Sequence, residues 1–408
     1  MPLRSPNTPR KPRILLVPPP ELPVPAVQGG AVETLLTHLL RENERCGELE
    51  LYCASVPDAA AQAAAAGWQH NHMLYLPVPP GHRRWLPLNA VQRLLGVENP
   101  PWEPWYQALL LTLMRQKLNP DLVFAEGGNL LQLSAISRHF GRGRTLAHLH
   151  GETQATPAVD AVYGGVAAIS DFVRGRYLED SALLPQNAYV LRNCIDTARF
   201  CPAPRDNALR ARLGFAESDF VLIFCGRLQP EKGIAELLQA LALLPDPAVK
   251  LLIVGSPFFA KTADSPFLQA LQSQAAALGD RVRFTGFIPN DELPAYYRIA
   301  DLACVPSVWQ EPAGLVPVEA MACALPLLAT VSGGMPEYIR DASPYFVPIS
   351  PNLPQDLAAG ITTLRADPAR RAAMAAAGAA AARQYSPQAY YRDFVALVHT
   401  VLQKGAAL

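Results

Sequence analysis

The sequence predicts an α/β chain with two domains, each built on a parallel β-sheet. Short apolar runs of strand length alternate with glycine loops and helix-like segments, and this alternation is typical of parallel sheets covered by helices on both faces. A second series of the same kind starts after residues 196–206, where Cys201, Pro202 and Pro204 interrupt the periodicity. The chain has 408 residues, half of them hydrophobic, which suffices for two or three domains. The expected ranges are 1–197, 198–385 and a C-terminal segment 386–408.

The first half of the chain begins with the apolar run Arg13–Val17, which predicts a buried strand. Gly29 and Gly30 follow, and then Ala31–Leu40 with helical apolar spacing. This order of strand, glycine loop and helix recurs along the first domain. Further strands are expected at Leu49–Ala54, Asp121–Ala125, Thr145–Leu149 and Gly165–Ile169.

The second half repeats the pattern. Phe220–Phe224 predicts a strand, and Gly226 and the helix Gly233–Leu243 come after it. The amphipathic segment Gln388–Gln403 predicts a helix at the end of the chain. Further strands are expected at Lys250–Val254, Val282–Thr285, Leu302–Val305 and Pro326–Ala329.

Composition excludes some functions and compartments. Lys plus Arg and Asp plus Glu both number 35, and this balance argues against a nucleic-acid binder, which usually carries a basic excess. The seven cysteines form no CxxC pattern and fit a reducing compartment. The polar, basic stretch Met1–Arg13 does not resemble a signal peptide, and no run of about 20 apolar residues is present. These features predict a cytoplasmic protein.

Residues 78–105 are rich in proline and tryptophan. A lid over a cleft and the surface packing of an inserted helix pair are both open interpretations. Basic residues in this segment and near the N-terminus suggest contact with an anionic membrane surface, and a solvated loop with a frayed basic terminus is the alternative. The residues concerned are Arg83, Arg84, Trp85, Arg4, Arg10, Lys11 and Arg13.

The strongest chemical signal lies at Glu311–Glu319, where a loop with Gly314 opens a helix that carries Pro317 in its first turn. The N–H groups of a helix start attract anions. A carboxylate beside such a site is costly unless it binds something else, and sugar hydroxyls are suitable donors. The alternative is a capped helix whose Glu is favoured by the helix dipole.

A second signal is the loop Gly226–Gly233, which follows a buried strand and precedes a helix. Arg227 and Lys232 lie five positions apart in it, and two cations at this spacing could clamp a diphosphate. A solvated loop with ordinary salt bridges is the alternative.

Taken together and in order, these pieces resemble the retaining glycosyltransferases of family 4. The other matching pieces span residues 29–337. They are Gly29-Gly30 with Glu33, His150, Ser170, Asn193 with Asp196 and Phe200, Phe284–Pro289, Asp301, and Gly333-Gly334 with Pro336-Glu337. Two stretches, 22–31 and Trp309–Pro312, also resemble a bacterial branch that includes spore-coat-associated proteins.

The resemblance implies the GT-B fold, in which two Rossmann-like domains face a central cleft and the C-terminal helix crosses back to the N-terminal domain. It also implies the catalytic residues Arg227, Lys232, Glu311 and His150. Arg227 and Lys232 would hold the donor diphosphate, Glu311 the donor-sugar hydroxyls and Glu319 the ribose. His148 lies on the same strand face and competes with His150 for the position at the sugar C6 side. The remaining donor-binding residues are Gly29, Gly30, Gly226, Phe287, Ile288, Gly314, Leu315, Val316 and Ser170, and a simple helix N-cap is the alternative for Ser170.

The sequence departs from the family pattern at three places. Ala324 and Cys194 stand where glycines are usual, and we interpret both as packing changes. His150 is followed by Gly-Glu instead of Asp or Asn, which leaves acceptor recognition open.

The resemblance implies a hexosyltransferase (EC 2.4) that moves a hexose or N-acetylhexosamine from a nucleotide diphosphate sugar to a hydroxyl acceptor in bacterial glycan synthesis. UDP is the expected carrier, and the acceptor is a glycan, a lipid-linked sugar or a small molecule. No Asp-x-Asp occurs, so we expect no metal and no cofactor, with cations and helix starts stabilising the leaving diphosphate. A front-face route that retains the anomeric configuration is the expected mechanism. A non-catalytic sugar-nucleotide-binding or scaffold protein, an epimerase and a phosphorylase are the alternatives.

Overall fold

The computed structural model describes residues 10–77, 104–256 and 266–405. The chain divides into two compact units, which we call the first unit (Met1–Asn193 with Pro387–Leu408) and the second unit (Cys194–Ser386). The domain boundaries predicted from the sequence are 197/198 and 385/386.

The first unit holds a parallel seven-stranded sheet with the order β3-β2-β1-β4-β5-β6-β7. Its central strands are almost wholly apolar and buried on both faces, as expected for a parallel sheet covered by helices. The strands are β1 (Arg13–Val17), β2 (Glu50–Ser55), β3 (Asn71–Tyr75), β4 (Leu122–Glu126), β5 (Thr145–Leu149), β6 (Gly165–Ala168) and β7 (Ala188–Val190).

Helices alternate with these strands. The described helices of the first unit are α1 (Ala31–Cys46), α2 (Ala59–Ala64), α3 (Pro104–Arg115), α4 (Ser134–Phe140), α5 (Pro157–Asp160), α6 (Asp171–Asp180) and α15 (Pro387–Gly405). Helix α15, from the far end of the chain, packs on α1: the hydroxyl of Tyr391 and the Oδ1 atom of Asn43 are 2.8 Å apart. The ring of Phe394 also lies 5.1 Å from that of Phe124 on β4. The expected return of the C-terminal helix to the N-terminal part is therefore confirmed.

The second unit holds a parallel six-stranded sheet with the order β10-β9-β8-β11-β12-β13. Two hydrophobic clusters lie on opposite faces of this sheet, since alternate residues of β8 belong to different clusters. The strands are β8 (Phe220–Cys225), β9 (Val249–Val254), β10 (Val282–Gly286), β11 (Leu302–Val305), β12 (Leu327–Thr330) and β13 (Tyr345–Val347). The described helices are α7 (Asn207–Arg212), α8 (Ile234–Leu243), α9 (Pro266–Ala277), α10 (Leu293–Ile299), α11 (Leu315–Ala322), α12 (Met335–Ile339), α13 (Leu353–Ala366) and α14 (Pro368–Ala381).

The predicted strands form within one residue of the predicted bounds, whereas the helices differ more. Helix α1 runs six residues beyond the predicted end at Leu40 and stops at Gly47, whose φ of 67° is left-handed. Strands β3, β7 and β13 were not predicted. Each lies at a sheet edge, where a strand needs no long apolar run, and β7 and β13 have only three residues each.

None of the described helices is both long and apolar enough to cross a membrane. The seven cysteines all lie within the described residues, and no disulfide joins them. Residues 78–103 of the proposed lid, which include Arg83, Arg84 and Trp85, fall outside the described residues, as does Arg4. Its last two residues, Pro104 and Trp105, belong to helix α3.

Candidate functional site

Helix α11 begins after Gly314, and Pro317 is its third residue. The first N–H groups of a helix have no partner within the helix, so Leu315 and Val316 offer backbone donors at this end. Proline is tolerated in the first turn because its missing N–H is not needed there. The structure therefore places Gly314, Leu315 and Val316 at a helix start, as the sequence predicted. Their binding of the donor stays a prediction.

Glu311, in the loop before α11, is paired directly with Lys232. The Nζ atom of Lys232 donates to Oε1 of Glu311 at 2.7 Å, and the Ser307 hydroxyl donates to the same oxygen at 2.6 Å. The Lys232 ammonium also lies 5.0 Å from the ring centre of Trp309, within range of a cation–π interaction. The sequence indicated both charged residues but not that they form one ion pair, and it did not indicate Ser307.

The backbone of Glu311 is held in place by the loop that follows β12. Its N–H donates to Oγ of Ser332 at 3.0 Å, and its carbonyl accepts from the N–H of Gly334 at 2.7 Å. Gly333 has a φ of 49°, and a Cβ there would lie 2.3 Å from the Glu311 carbonyl oxygen. Only glycine therefore fits at this position. The Gly333-Gly334 match in the sequence signals this contact, whereas nothing singled out Ser332.

Glu319 lies at the fifth position of α11, in the second turn and not the first. Its Oε2 atom accepts a hydrogen bond of 3.0 Å from the hydroxyl of Tyr297. Burial raises the pKa of Glu319 to about 7, against the opposing effect of that hydrogen bond. A carboxyl group with such a pKa is partly protonated at neutral pH. New hydrogen-bond donors from a ligand would favour its charged form.

Gly226 and Arg227 follow β8 directly. The Arg227 side chain is exposed, and among the described residues it has no ion-pair partner. The loop ends at Gly233, whose φ is 71° and where a Cβ would lie 1.8 Å from the carbonyl oxygen of Pro306. This close approach brings the Lys232 loop against the segment that leads to Glu311.

Phe287 and Ile288 follow β10 and differ in exposure. The Phe287 side chain is 44% exposed, whereas Ile288 packs against the hydrophobic core of the second unit. Phe287 is thus open to a ligand. The assignment of both residues to a base pocket stays a prediction.

In the first unit, Gly29 and Gly30 precede α1, and both have left-handed φ values of 86° and 97°. A Cβ on Gly30 would lie 2.0 Å from Oε2 of Glu33, so this carboxylate sits directly against the glycine loop. Burial raises the pKa of Glu33. Their contact with a donor stays a prediction.

His150, one residue after β5, belongs to a cluster with Glu126 and His148. The register pairs Glu126, at the end of β4, with His148 on β5. Oε2 of Glu126 lies 2.8 Å from Nδ1 of His148 and 3.2 Å from Nε2 of His150. The His148 side chain is fully buried, whereas that of His150 is 16% exposed. His150 is therefore the histidine open to a ligand.

The contacts within this cluster favour a negatively charged Glu126 and a neutral His150. Burial alone would raise the pKa of Glu126, but His148 and His150 outweigh it and lower that pKa to about 2. Burial and the neighbouring His148 lower the pKa of His150. Sequence reasoning missed Glu126, and the only signal for it is an acidic residue at the end of an apolar strand before Gly127.

The three side chains also offer one metal-ligand atom each, all within 4.8 Å of one another. Histidine ligands of metals usually donate their second nitrogen to a protein partner. Nε2 of His148 is buried and has no such partner in the part of the chain that the structure describes. The 2.8 Å contact between His148 and Glu126 is that of a hydrogen bond.

Ser170 caps helix α6. Its Oγ atom accepts from the N–H of Val173 at 3.1 Å, and the residue is fully buried. The helix-cap alternative thus describes its position. A donor-binding role for Ser170 stays a prediction.

The two sheets, their helices and the returning α15 define the GT-B class of fold, which comparison with solved structures shows directly. HepE of Anabaena in complex with UDP aligns with a TM-score of 0.72 at 22% identity, covering 95% of this chain and all of that one. A glycosyltransferase of Rickettsia africae gives 0.73 at 18% identity, with 96% and 99% of the chains covered. Sucrose-phosphate synthase of Thermosynechococcus elongatus gives 0.68 at 20%, with 98% and 100% covered.

Residues 206–381, all within the second unit, match the family model described as glycosyl transferases group 1. The curated relatives include D-inositol 3-phosphate glycosyltransferase of Salinispora tropica, 34% identical over 65% of this chain and 55% of the relative. The Rhodococcus opacus enzyme of the same name is 29% identical over 88% and 82%. The chain spans little more than half the length of the first of these. The family resemblance seen in the sequence is confirmed.

Proposed function

We propose that the protein is a retaining glycosyltransferase that moves a hexose or N-acetylhexosamine from a UDP-sugar to a hydroxyl group. One observation carries the proposal: Lys232, from the loop after β8, forms an ion pair with Glu311, which lies in the loop before the start of α11. A cation and a helix start suit a diphosphate, and a fixed carboxylate suits sugar hydroxyls. The related folds described with UDP, UDP-glucose, and UDP and glucose support the choice of donor.

The chemistry follows from where charge develops. Cleavage of the bond between sugar and phosphate leaves negative charge on the diphosphate and positive charge on the sugar ring. Arg227, Lys232 and the N–H groups of Leu315 and Val316 stabilise the departing diphosphate. No metal is needed in this proposal, because these groups supply the positive charge. The acceptor hydroxyl attacks on the face that the diphosphate leaves and gives its proton to a phosphate oxygen.

The names of the curated relatives suggest an acceptor. They are glycosyltransferases of D-inositol 3-phosphate, so a phosphorylated polyol joins glycans and lipid-linked sugars among the acceptors to be tested. Contact with an anionic membrane and a cytoplasmic location remain part of the proposal.

A binding panel with EDTA present tests the donor. Thermal unfolding is measured with UDP, GDP and ADP and with the glucose, galactose, mannose and N-acetylglucosamine derivatives of each that exist. A sugar nucleotide that raises Tm well above its free nucleotide names the donor. Release of the free nucleotide is then followed with and without acceptors, inositol 3-phosphate among them. Binding without release under any acceptor would favour the scaffold alternative.

A further inference from the structure

Glu126 is a buried carboxylate that the proposed reaction has not used. It ends β4, and its side chain is 1% exposed. One of its oxygens, Oε2, meets both His148 and His150. The other oxygen, Oε1, is buried and has no hydrogen-bond partner among the described residues. The two histidines are thus the contacts through which this carboxylate acts.

An ionised carboxylate can only accept hydrogen bonds. Each imidazole nitrogen that faces Oε2 must therefore carry a hydrogen, since a bare nitrogen would set two lone pairs against each other. This fixes a hydrogen on Nδ1 of His148 and on Nε2 of His150. The low pKa of Glu126 agrees with an ionised carboxylate.

The opposite nitrogen of His150 is the open one. Its ring is held by Glu126 at Nε2, by the ring of His148 at 4.1 Å between centres, and by the loop at Gly127, where a Cβ would lie 3.3 Å from Cδ2. Nδ1 has no hydrogen-bond partner among the described residues, and it is not one of the buried polar atoms without a partner. It therefore faces solvent. With a single carboxylate for two imidazoles, the ring of His150 stays neutral, and its Nδ1 has a free lone pair.

We infer that Glu126 is a positioning residue that keeps the proton of His150 on Nε2 and leaves Nδ1 to accept a hydrogen bond from a sugar hydroxyl. This inference rests on the proposed function for the identity of the ligand. The hydroxyl belongs either to the donor sugar or to the acceptor, and the experiment separates these two sources. If the proton of the neutral ring were on Nδ1 instead, this open nitrogen could only donate a hydrogen bond, so Glu126 decides which kind of ligand atom the open side of His150 selects.

The test begins with the tautomer, which a merely structural role would not determine. Protein labelled with ¹⁵N-histidine is observed by long-range ¹H–¹⁵N correlation, and the His150 signals are assigned by their loss in His150→Gln. The expected spectrum shows a protonated Nε2 and a bare Nδ1. A proton on Nδ1 of His150 in the wild-type protein would overturn the inference, whatever the activity.

The variant Glu126→Leu removes the acceptor and should give a mixture of both tautomers, while Glu126→Asp, which keeps a carboxylate, should retain the wild-type tautomer in most molecules. In transfer assays, Glu126→Leu should lower kcat/KM by about 5- to 30-fold, and Glu126→Asp should restore part of it. A rise in KM for the donor alone assigns the hydroxyl to the donor sugar, and a rise for the acceptor alone assigns it to the acceptor. Unchanged kcat/KM with a changed tautomer would refute the role of Nδ1.

Asp160 provides a matched control in the same unit. It is also buried, and it accepts from the hydroxyls of Tyr177 and Ser181 and from the N–H of Ala182. Asp160→Asn should lower stability and leave the His150 tautomer and both KM values unchanged. If Asp160→Asn changed the KM values as Glu126→Leu does, the effect of Glu126 would be one of stability, and the inference would fail.

The experiment also distinguishes failure of the proposed function, and metal binding by the cluster, from failure of the inference. If the wild-type protein transfers no sugar, the proposed function fails, while the tautomer and its dependence on Glu126 are still measured. Addition of one equivalent of ZnCl₂ should leave the His148 and His150 nitrogen signals unchanged. Shifts of both sets that EDTA reverses would make the cluster a metal site and overturn the inference.

Discussion

The pairing of Lys232 with Glu311 leads to a testable prediction: removal of the negative charge of Glu311 should tighten nucleotide binding. The Glu311 carboxylate lies 2.7 Å from the ammonium group on which the diphosphate depends. In the free protein it therefore offsets that positive charge, and it would repel a diphosphate at the same place. We predict that Glu311→Gln binds free UDP more tightly than the wild-type protein and uses UDP-sugar less well.

The magnitude follows from the geometry. A hydrogen bond to a charged group contributes about 1.5–3 kcal/mol. The Lys232 and Glu311 side chains are 18% and 13% exposed, so water screens only part of their attraction. A glutamine at 311 still offers Lys232 an amide oxygen, so only the charged part is lost, about 1–2 kcal/mol. That corresponds to UDP binding about 5- to 30-fold tighter, while the loss of the carboxylate that holds sugar hydroxyls lowers kcat/KM by about 10- to 100-fold.

Isothermal titration calorimetry with UDP measures the first effect, and initial rates with the donor found in the panel measure the second. Ser307→Ala is the matched control, because it removes the 2.6 Å hydrogen bond to the same Oε1 atom and no charge. It should change UDP affinity less than threefold. Weaker UDP binding by Glu311→Gln, with an equal loss in kcat/KM, would refute the reasoning and place Glu311 among the groups that hold the nucleotide.

Three other predictions concern the second unit. Arg227→Ala should leave Tm unchanged, because this side chain is exposed and has no described ion-pair partner, yet lower kcat by about 100- to 1000-fold; normal turnover would remove Arg227 from the diphosphate site. Folding raises the pKa of Glu319 from 4.5 to about 7, so its contribution to stability is present below pH 4.5 and lost as pH rises through 7, at most about 3 kcal/mol. Glu319→Gln should flatten this part of the profile of unfolding free energy against pH, and an identical profile would contradict the assignment. Gly333→Ala should lower stability by about 1–3 kcal/mol through its contact with the Glu311 carbonyl, whereas Gly175→Ala, with open space around it, should be neutral or stabilising in the same thermal scan.

The sequence predicted much of the fold because buried parallel strands are apolar runs that glycine loops follow. Strands such as Thr145–Leu149 and Leu302–Val305 form at the predicted residues. The edge strand Asn71–Tyr75 begins with two polar residues, has no long apolar run, and depends on its pairing with β2. Local sequence carries no record of such a pairing, so this strand was missed.

In the candidate site, too, the sequence indicated single residues but not the contacts between residues that are far apart in the chain. Lys232 and Glu311 stand out singly, because each lies in a loop at the end of a strand. Their ion pair joins residues 79 positions apart, and the contact of Gly233 with Pro306 that brings the two loops together is a property of the folded sheet. Glu126 was missed for a similar reason, since it meets His148 only through the register of β4 with β5.

In both units a carboxylate controls a group that is available for a ligand. Glu311 offsets the charge of Lys232 until a diphosphate arrives, and Glu126 fixes the proton of His150 and leaves one nitrogen free. In neither cluster is the carboxylate left as an exposed charge, because partly or fully buried partners surround it. In the second unit, a diphosphate would supply the negative charge that Lys232 can accept. In the first unit, a sugar hydroxyl would donate the hydrogen bond that Nδ1 of His150 can accept. Glu311→Gln should therefore tighten the binding of free UDP, because it removes a negative charge from beside Lys232. Glu126→Leu should leave the binding of free UDP unchanged, because Glu126 contacts the two histidines and not Lys232.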